Sequence, residues 1–327
     1  MALLDIEKAF DKVWIDGVIY KMIQYGYPTT LIKFINSYLR NRHLIVKVED
    51  ALSSKRRIGA GVPQGSVLGP KLFTIFVNDI PMFGKTKTAL FADDLAIYSH
   101  SFSAIVAAKQ IQMHIHLLEE FYDKWKIKVN KTKTEVIVFA RKKNDIKIFQ
   151  NIKVYGHPIT PSHTVKYLGV YLDSKLTYYR HTTHIIQKAH AVIKKLYPLL
   201  LSNSALSITN KKLIYKMLIR PIMTYATPVW CSMAKTHIKK LQIIQNKCLR
   251  LILSASNYTR LTELHARSDV QYFEDHVKDL AERFYTNQLK CNNLLLNITD
   301  IRSYNLPFEY RYKLPYDKLL IFNSFKD

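Results

Sequence analysis

Two carboxylates stand side by side at Asp93-Asp94, between Ala89-Leu90-Phe91 and Leu95-Ala96-Ile97-Tyr98, two apolar stretches that read as strands. Aspartate is depleted in strands and costly to bury unpaired, so a double Asp here needs a cation or a solvated turn. A second apolar strand, Ala2-Leu3-Leu4-Asp5, also ends on an acid. Three carboxylates on two strand ends can hold a pair of divalent metal ions for phosphoryl or nucleotidyl transfer. Mg²⁺ suits such a site, with Mn²⁺ as its substitute, because it keeps water and substrate phosphates in its shell and needs few protein carboxylates. A turn Asp-Asp and an unrelated N-terminal Asp account for either motif taken alone. They account less well for both together with the loop between them, Gly61-Val62-Pro63-Gln64-Gly65-Ser66.

The elements that must position these acids can be read from periodicity. Residues 16–40 read as two helices broken at Gly26-Tyr27-Pro28, with Pro28 opening the second. Residues 43–60 read as a basic hairpin, in which Leu44, Val46 and Val48 alternate before Lys55-Arg56-Arg57. After the Pro63-Gln64-Gly65 loop comes a helix with Leu72, Phe73, Phe76, Val77 and Ile80 on one face. An acidic hairpin follows at about 88–99, then a long helix with the stripe Ile105, Ala108, Ile111, Ile115, Leu118, Tyr122 and Trp125. Strands are expected at 135–140, 146–149, 153–155 and 165–172. From about His181 the pattern is helical, and Ile238, Leu241, Ile244, Cys248 and Ile252 mark one helix. Lys239, Lys240, Lys247 and Arg250 lie on its other faces. The plan is α+β: a mixed body over residues 1–180 and a basic helical part over 181–327.

Bulk composition bounds the partners. The 327 residues are 48% hydrophobic, enough for a sizeable core, and carry 49 Lys and Arg against 25 Asp and Glu, a formal net charge of +24. That excess points to a polyanion whose neutralised phosphates release counterions. Lys55-Arg56-Arg57 and Arg141-Lys142-Lys143 are candidate contacts, although any one charge run also serves as a solvated face. Cys231, Cys248 and Cys291 are too far apart for a zinc site or a disulfide framework. A reducing, intracellular setting follows, nuclear or cytoplasmic, with no membrane partner.

The ordered motifs resemble those of a known family. Asp5 with Phe10, the Gly61–Ser66 loop, and Phe91-Ala92-Asp93-Asp94 are similar to successive signature motifs of reverse transcriptases. Asn130-Lys131-Thr132-Lys133-Thr134 and Tyr167-Leu168-Gly169-Val170 resemble the next two, in the same order. Leu218-Ile219-Arg220-Pro221, Tyr225-Ala226-Thr227-Pro228-Val229-Trp230 and Gln245-Asn246-Lys247-Cys248-Leu249-Arg250 are similar to the jockey-type polymerases of non-LTR retrotransposons. The resemblance implies a right-hand polymerase palm with partial fingers over residues 1–180 and a helical, thumb-like region beyond. An intron-type or telomerase-like polymerase shares the core motifs but lacks the jockey-like stretch after Leu218.

By that resemblance, Asp5, Asp93 and Asp94 hold two Mg²⁺ ions that serve an RNA-templated extension of a DNA primer by deoxynucleoside triphosphates. Phe10 matches the residue that excludes a ribose 2′-hydroxyl; without the motif it reads as a core ring. Gln64 and Gly65 match a loop contacting nucleotide and template, though Pro-Gln-Gly is also an ordinary turn. Lys133 matches a residue that protonates departing pyrophosphate, and an exposed lysine is its plain alternative. Tyr167, Leu168 and Gly169 match the hairpin that grips the primer end; a simple buried strand is the alternative. The family's fingers strands normally precede the strand ending at Asp5, so the chain is expected to be an N-terminally truncated copy. A second reading, of another class, is an inactive relic that binds nucleic acid non-specifically through its charge.

Overall fold

Alternation along Ala2-Leu3-Leu4-Asp5 decides how the central sheet is used, because successive strand residues point to opposite faces. The computed structural model describes residues 1–139 and 152–290. The strand expected at 146–149, the run Arg141-Lys142-Lys143 and Cys291 lie outside the described residues. The chain divides into two units, Met1–Gly169 and Val170–Asp327. The division falls after Gly169, ahead of the 180/181 boundary read from the pattern.

In the first unit, β1 (Ala2–Asp5) is followed by α1 (Ile15–Gln24) and α2 (Thr29–Leu39). Two nested ladders form the basic hairpin: β2 (His43–Leu44) pairs with β5 (Arg56–Arg57), and β3 (Lys47–Val48) with β4 (Ala51–Leu52). Helix α3 (Leu68–Val77) leads to β6 (Lys87–Phe91), β7 (Asp94–Tyr98) and the long α4 (Ala104–Lys124). Then come β8 (Glu135–Ile137), β9 (Lys153–Val154), β10 (His157–Pro158), β11 (Pro161–Ser162) and β12 (Thr164–Tyr167). Five strands form one sheet in the order β11-β8-β1-β7-β6, antiparallel except for β11 against β8.

One face of that sheet, Ala2 and Leu4 with Leu95, Ile97 and Val136, is buried in a core built with the helices. Met22, Leu72, Phe76, Ile111, Ile115 and Leu118 belong to the same cluster. The helix stripe thus packs as its spacing predicts, except at Ile105, which is 50% exposed. It stands in the first turn of α4, ahead of the buried run that begins at Ala107. The opposite sheet face carries Leu3, Asp5, Asp94, Ala96 and Glu135, by the register of the strands.

The strand expected over 165–172 is interrupted. Leu168 and Gly169 have φ of 45° and 83°, so β12 ends at Tyr167 and β13 (Val170–Asp173) starts afresh. Glycine bears a positive φ without the Cβ clash that leucine meets, and Gly169 makes this turn feasible.

The second unit is helical after β13: α5 (Tyr179–Leu200), α6 (Ile208–Ile214), α7 (Arg220–Thr224), α8 (Thr227–Trp230), α9 (Lys235–Leu253), α10 (Leu261–Ser268) and α11 (Phe273–Lys290). Between α6 and α7 the chain widens into one π-helical turn, Tyr215–Ile219. Pro221 follows, and a proline inside a helix removes a donor and crowds the carbonyl four residues back. The core of this unit holds Trp230, Tyr215, Met223, Leu241, Ile244, Cys248 and Phe273. Tyr215 donates its hydroxyl proton to Gln245 Oε1 at 2.6 Å, and Gln245 Nε2 donates to the Gln271 carbonyl at 2.8 Å. Among the described residues no helix is long and apolar enough to cross a membrane.

Candidate active site

The sheet register brings two of the acids into direct opposition. Asp5 on β1 pairs with Asp94 on β7, just as Leu4 pairs with Leu95. Side chains of directly opposed residues stand about 5 Å apart at Cβ, and like charges there repel. Asp93 sits one residue away in the two-residue turn Ala92-Asp93 that joins β6 to β7, where Phe91 pairs with Asp94. Ala92 holds a φ of 53°, a left-handed conformation that two-residue hairpin turns demand and that glycine would adopt more cheaply.

The electrostatics follow from that placement. Burial raises the Asp94 carboxyl above its ordinary pKa, and the negative charges of Asp93 and Asp5 push it further in the same direction. Tyr167 on β12 feels the same charge: burial first and then Asp94 raise its phenol. Lys133 Nζ lies 3.9 Å from Asp5 Oδ2. Its backbone is set by Asn130, whose Oδ1 accepts from the amides of Thr132 at 3.2 Å and Lys133 at 3.3 Å and from the Thr132 hydroxyl at 2.8 Å. The Asn130 amide in turn donates to the Asp5 carbonyl at 2.8 Å, which ties the lysine turn to the end of β1.

Asp5, Asp94, Lys133 and Tyr167 line one cleft of about 360 Å³, together with Glu135 and Lys166. Glu135 and Lys166 were missed in the sequence. Glu135 opposes Leu3 in the register and so shares the face of Asp5, and burial raises its carboxyl above the usual value. Parity along Glu135-Val136-Ile137 was the available signal: a buried Val136 puts Glu135 on the other face. Among the described residues no three His, Cys, Asp or Glu side chains converge closely enough to hold a metal ion unaided. The residues nevertheless suit a hard divalent cation completed by water and phosphate oxygens. Opposed carboxylates, one of them with a raised pKa, are the environment a cation relieves.

Phe10, Gln64 and Gly65 do not line this cleft; they belong to a separate construction in which the loop before α3 bonds to the segment after β1. The Val62 amide donates to the Phe10 carbonyl and the Gly61 amide to the Val13 carbonyl, each at 2.8 Å. Gln64 Nε2 donates to Asp11 Oδ1 at 2.8 Å. Gly61 has a φ of 83°, and a Cβ there would stand 2.5 Å from the Asp11 carbonyl oxygen, so no side chain fits. Gly65, at a φ of 76°, meets nothing within 4 Å and is needed for conformation alone. Phe10 is partly buried, its ring 5.0 Å from that of Phe73. Leu168 and Gly169 form the turn that follows Tyr167.

With this geometry in hand, the relatives are informative. Residues 1–172 match the model of the reverse transcriptase (RNA-dependent DNA polymerase) family. The chain belongs to the reverse transcriptase family. Membership carries the polymerase palm fold for the matched residues, in keeping with the mixed helix and sheet of the first unit. Over 297 residues, 89% of its length, the chain is 34% identical to a probable RNA-directed DNA polymerase from transposon X-element of Drosophila melanogaster, covering 32% of that protein. It is 33% identical over 290 residues to the RNA-directed DNA polymerase from mobile element jockey of Drosophila funebris, covering 31% of it. The chain therefore spans about a third of the length of the curated relatives it matches. The similarity runs past the family model into the helical unit, where the jockey-like stretches lie.

Proposed function

We propose that this chain carries the polymerising centre of an RNA-directed DNA polymerase from a non-LTR retrotransposon. It extends the 3′-hydroxyl of a DNA primer on an RNA template with deoxynucleoside triphosphates. The observation that carries the reading is the cross-strand pair Asp5–Asp94 beside the Asp93 turn, facing one cleft with Lys133 and Tyr167. In this reading residues 1–180 are the palm with partial fingers, and the helical residues beyond are the thumb-like region.

Each part of the site has a chemical task. Asp5, Asp93 and Asp94 would hold Mg²⁺, or Mn²⁺ in its place, which supplies Lewis-acid charge to the phosphates and eases deprotonation of the primer hydroxyl. As the primer oxygen bonds to the α-phosphorus, the bond to the bridging oxygen of pyrophosphate breaks. Lys133, beside Asp5, gives that departing oxygen a proton in this reading. Tyr167, at the cleft wall, and the turn Leu168-Gly169 that follows it hold the primer end. Phe10, braced against Phe73, excludes a sugar 2′-hydroxyl because its ring offers that group neither room nor partner. Gln64 and Gly65 contact nucleotide and template from the loop clamped onto Asp11.

A primer-extension assay on an RNA template, with Mg²⁺ titrated, tests this. Synthesis that rises with Mg²⁺ and disappears in Asp93→Ala supports the reading. Salt-sensitive nucleic-acid binding without Mg²⁺-dependent synthesis would instead favour the inactive, charge-driven binder.

A further inference from the structure

The stretch Gln245-Asn246-Lys247-Cys248-Leu249-Arg250 lies on α9, and the polymerising centre makes no use of it. Its buried members have structural roles: Gln245 joins Tyr215 to the Gln271 carbonyl, and Cys248 and Leu249 sit in the core. Lys247 and Arg250 are different. One helical turn apart, both line a cavity of about 730 Å³, and neither makes an ion pair among the described residues. The Arg250 Nε is buried and bonds nothing among the described residues, while Nη2 makes a long contact of 3.5 Å to the Thr259 carbonyl. That Nε is out of a ligand's reach, but Arg250 and Lys247 together put two cations on the cavity wall, which an anion would complete.

Ile243, Leu251, Ala255 and Leu261 give the same cavity an apolar side, while Ser202, Asn246, Ser254 and Asn257 add polar groups to its wall. Its volume lies within the roughly 300–1,000 Å³ typical of small-molecule sites. A simple anion uses the two cations and leaves the apolar side of the wall uncovered. A ligand that uses both is a planar apolar ring system joined to a phosphate. Given the +24 charge of the chain, we infer that this cavity receives one nucleotide of a single-stranded RNA. The base lies against Ile243, Leu251, Ala255 and Leu261, and the phosphate meets Lys247 and Arg250. The site is a second anchor for the template, within the helical unit and separate in chemistry from the carboxylate cleft.

The test is fluorescence anisotropy of the whole chain with a short, labelled, single-stranded oligoadenylate over a salt series. Lys247→Gln should weaken binding and lower the slope of log affinity against log salt by about 0.7, the loss of one phosphate contact. Ile243→Ser should weaken binding roughly fivefold through lost contact with the base and leave the slope unchanged. Lys239→Gln, on the same helix outside the cavity, should have less effect than Lys247→Gln. Adenosine monophosphate should compete, and inorganic phosphate at equal ionic strength should not. Wild-type affinity in Ile243→Ser, equal losses for Lys239→Gln and Lys247→Gln, or equal competition by phosphate would overturn the inference. Saturation by the mononucleotide at concentrations where oligoadenylate binds no tighter would overturn its single-stranded part. Primer extension is read separately, so the anchor and the polymerising centre stand or fall independently.

Discussion

At the scale of single residues, the opposed acids leave a measurable mark on stability. A carboxyl whose folded pKa lies above its unfolded value binds its proton more tightly in the folded state. Its stabilising contribution is present at low pH and is lost as pH rises through the carboxylate range. Asp94 is such a group, through burial and then the charges of Asp93 and Asp5. In chelator, Asp94→Asn should flatten that pH dependence and raise neutral-pH stability by a few tenths to about 1 kcal/mol, solvent screening keeping it small. Urea denaturation between pH 4 and 7 measures it, to the accuracy of about a tenth that the extrapolation allows. Saturating Mg²⁺ should stabilise the wild type more than the variant, by mass action on a folded-state site. At Gly61 the constraint is steric. Ala would stand 2.5 Å from a backbone carbonyl at a φ of 83°, and Gly61→Ala should cost about 3 kcal/mol, from left-handed strain plus the clash.

At the scale of elements, the first unit depends on a charge buried among rings. Lys21 on α1 is wholly buried, with its Nζ bonded to Asp79 and the Phe76 carbonyl and 3.8 Å from the Trp125 ring centroid. Asp79 keeps 35% of its side chain in solvent, so Lys21→Ala should cost about 3 kcal/mol and Lys21→Met clearly less, since a removed partner strands less charge where water reaches it. Thermal or urea melts of the pair decide between packing and charge. In the helical unit, burial and then His184 hold His181 down to about 4. A histidine with a depressed folded pKa stabilises the fold above its unfolded pKa, near 6.5, and loses that contribution as pH falls. Wild type should therefore lose about 2 kcal/mol between pH 6.5 and 4, a loss that His181→Gln removes. Periodicity made most elements legible: the two helices split at Gly26-Tyr27-Pro28, the acidic hairpin, and the buried stripe of α9 all follow from spacing. Lys21 was not legible, because a lysine on a helix looks solvated until Trp125, far along the chain, folds over it. Glu135 was legible only in part: parity with Val136 gives its face, but the register of β8 against β1 brings it beside Asp5.

At the scale of the whole molecule, the charge of +24 and the ordered motifs point in one direction, and both family and relatives agree. The motifs were legible because they are local, each a short run whose residue types carry their own constraint: glycine at a positive φ, an acid at a strand end. What they could not give was the pairing of acids, which only the antiparallel register of β1 and β7 fixes as Asp5 with Asp94. The cavity beside Lys247 and Arg250 was equally hidden, because helix spacing puts two cations together without saying what lies between their neighbours. If the opposed acids are the polymerising centre, Mg²⁺-dependent primer extension by wild type and by Asp94→Ala will separate the two proteins. Wild type should extend a DNA primer on RNA, and the variant should lose more than about a hundredfold of that synthesis with RNA binding retained. Undiminished synthesis by Asp94→Ala, or RNA binding by wild type with no synthesis at any Mg²⁺ concentration, would contradict it.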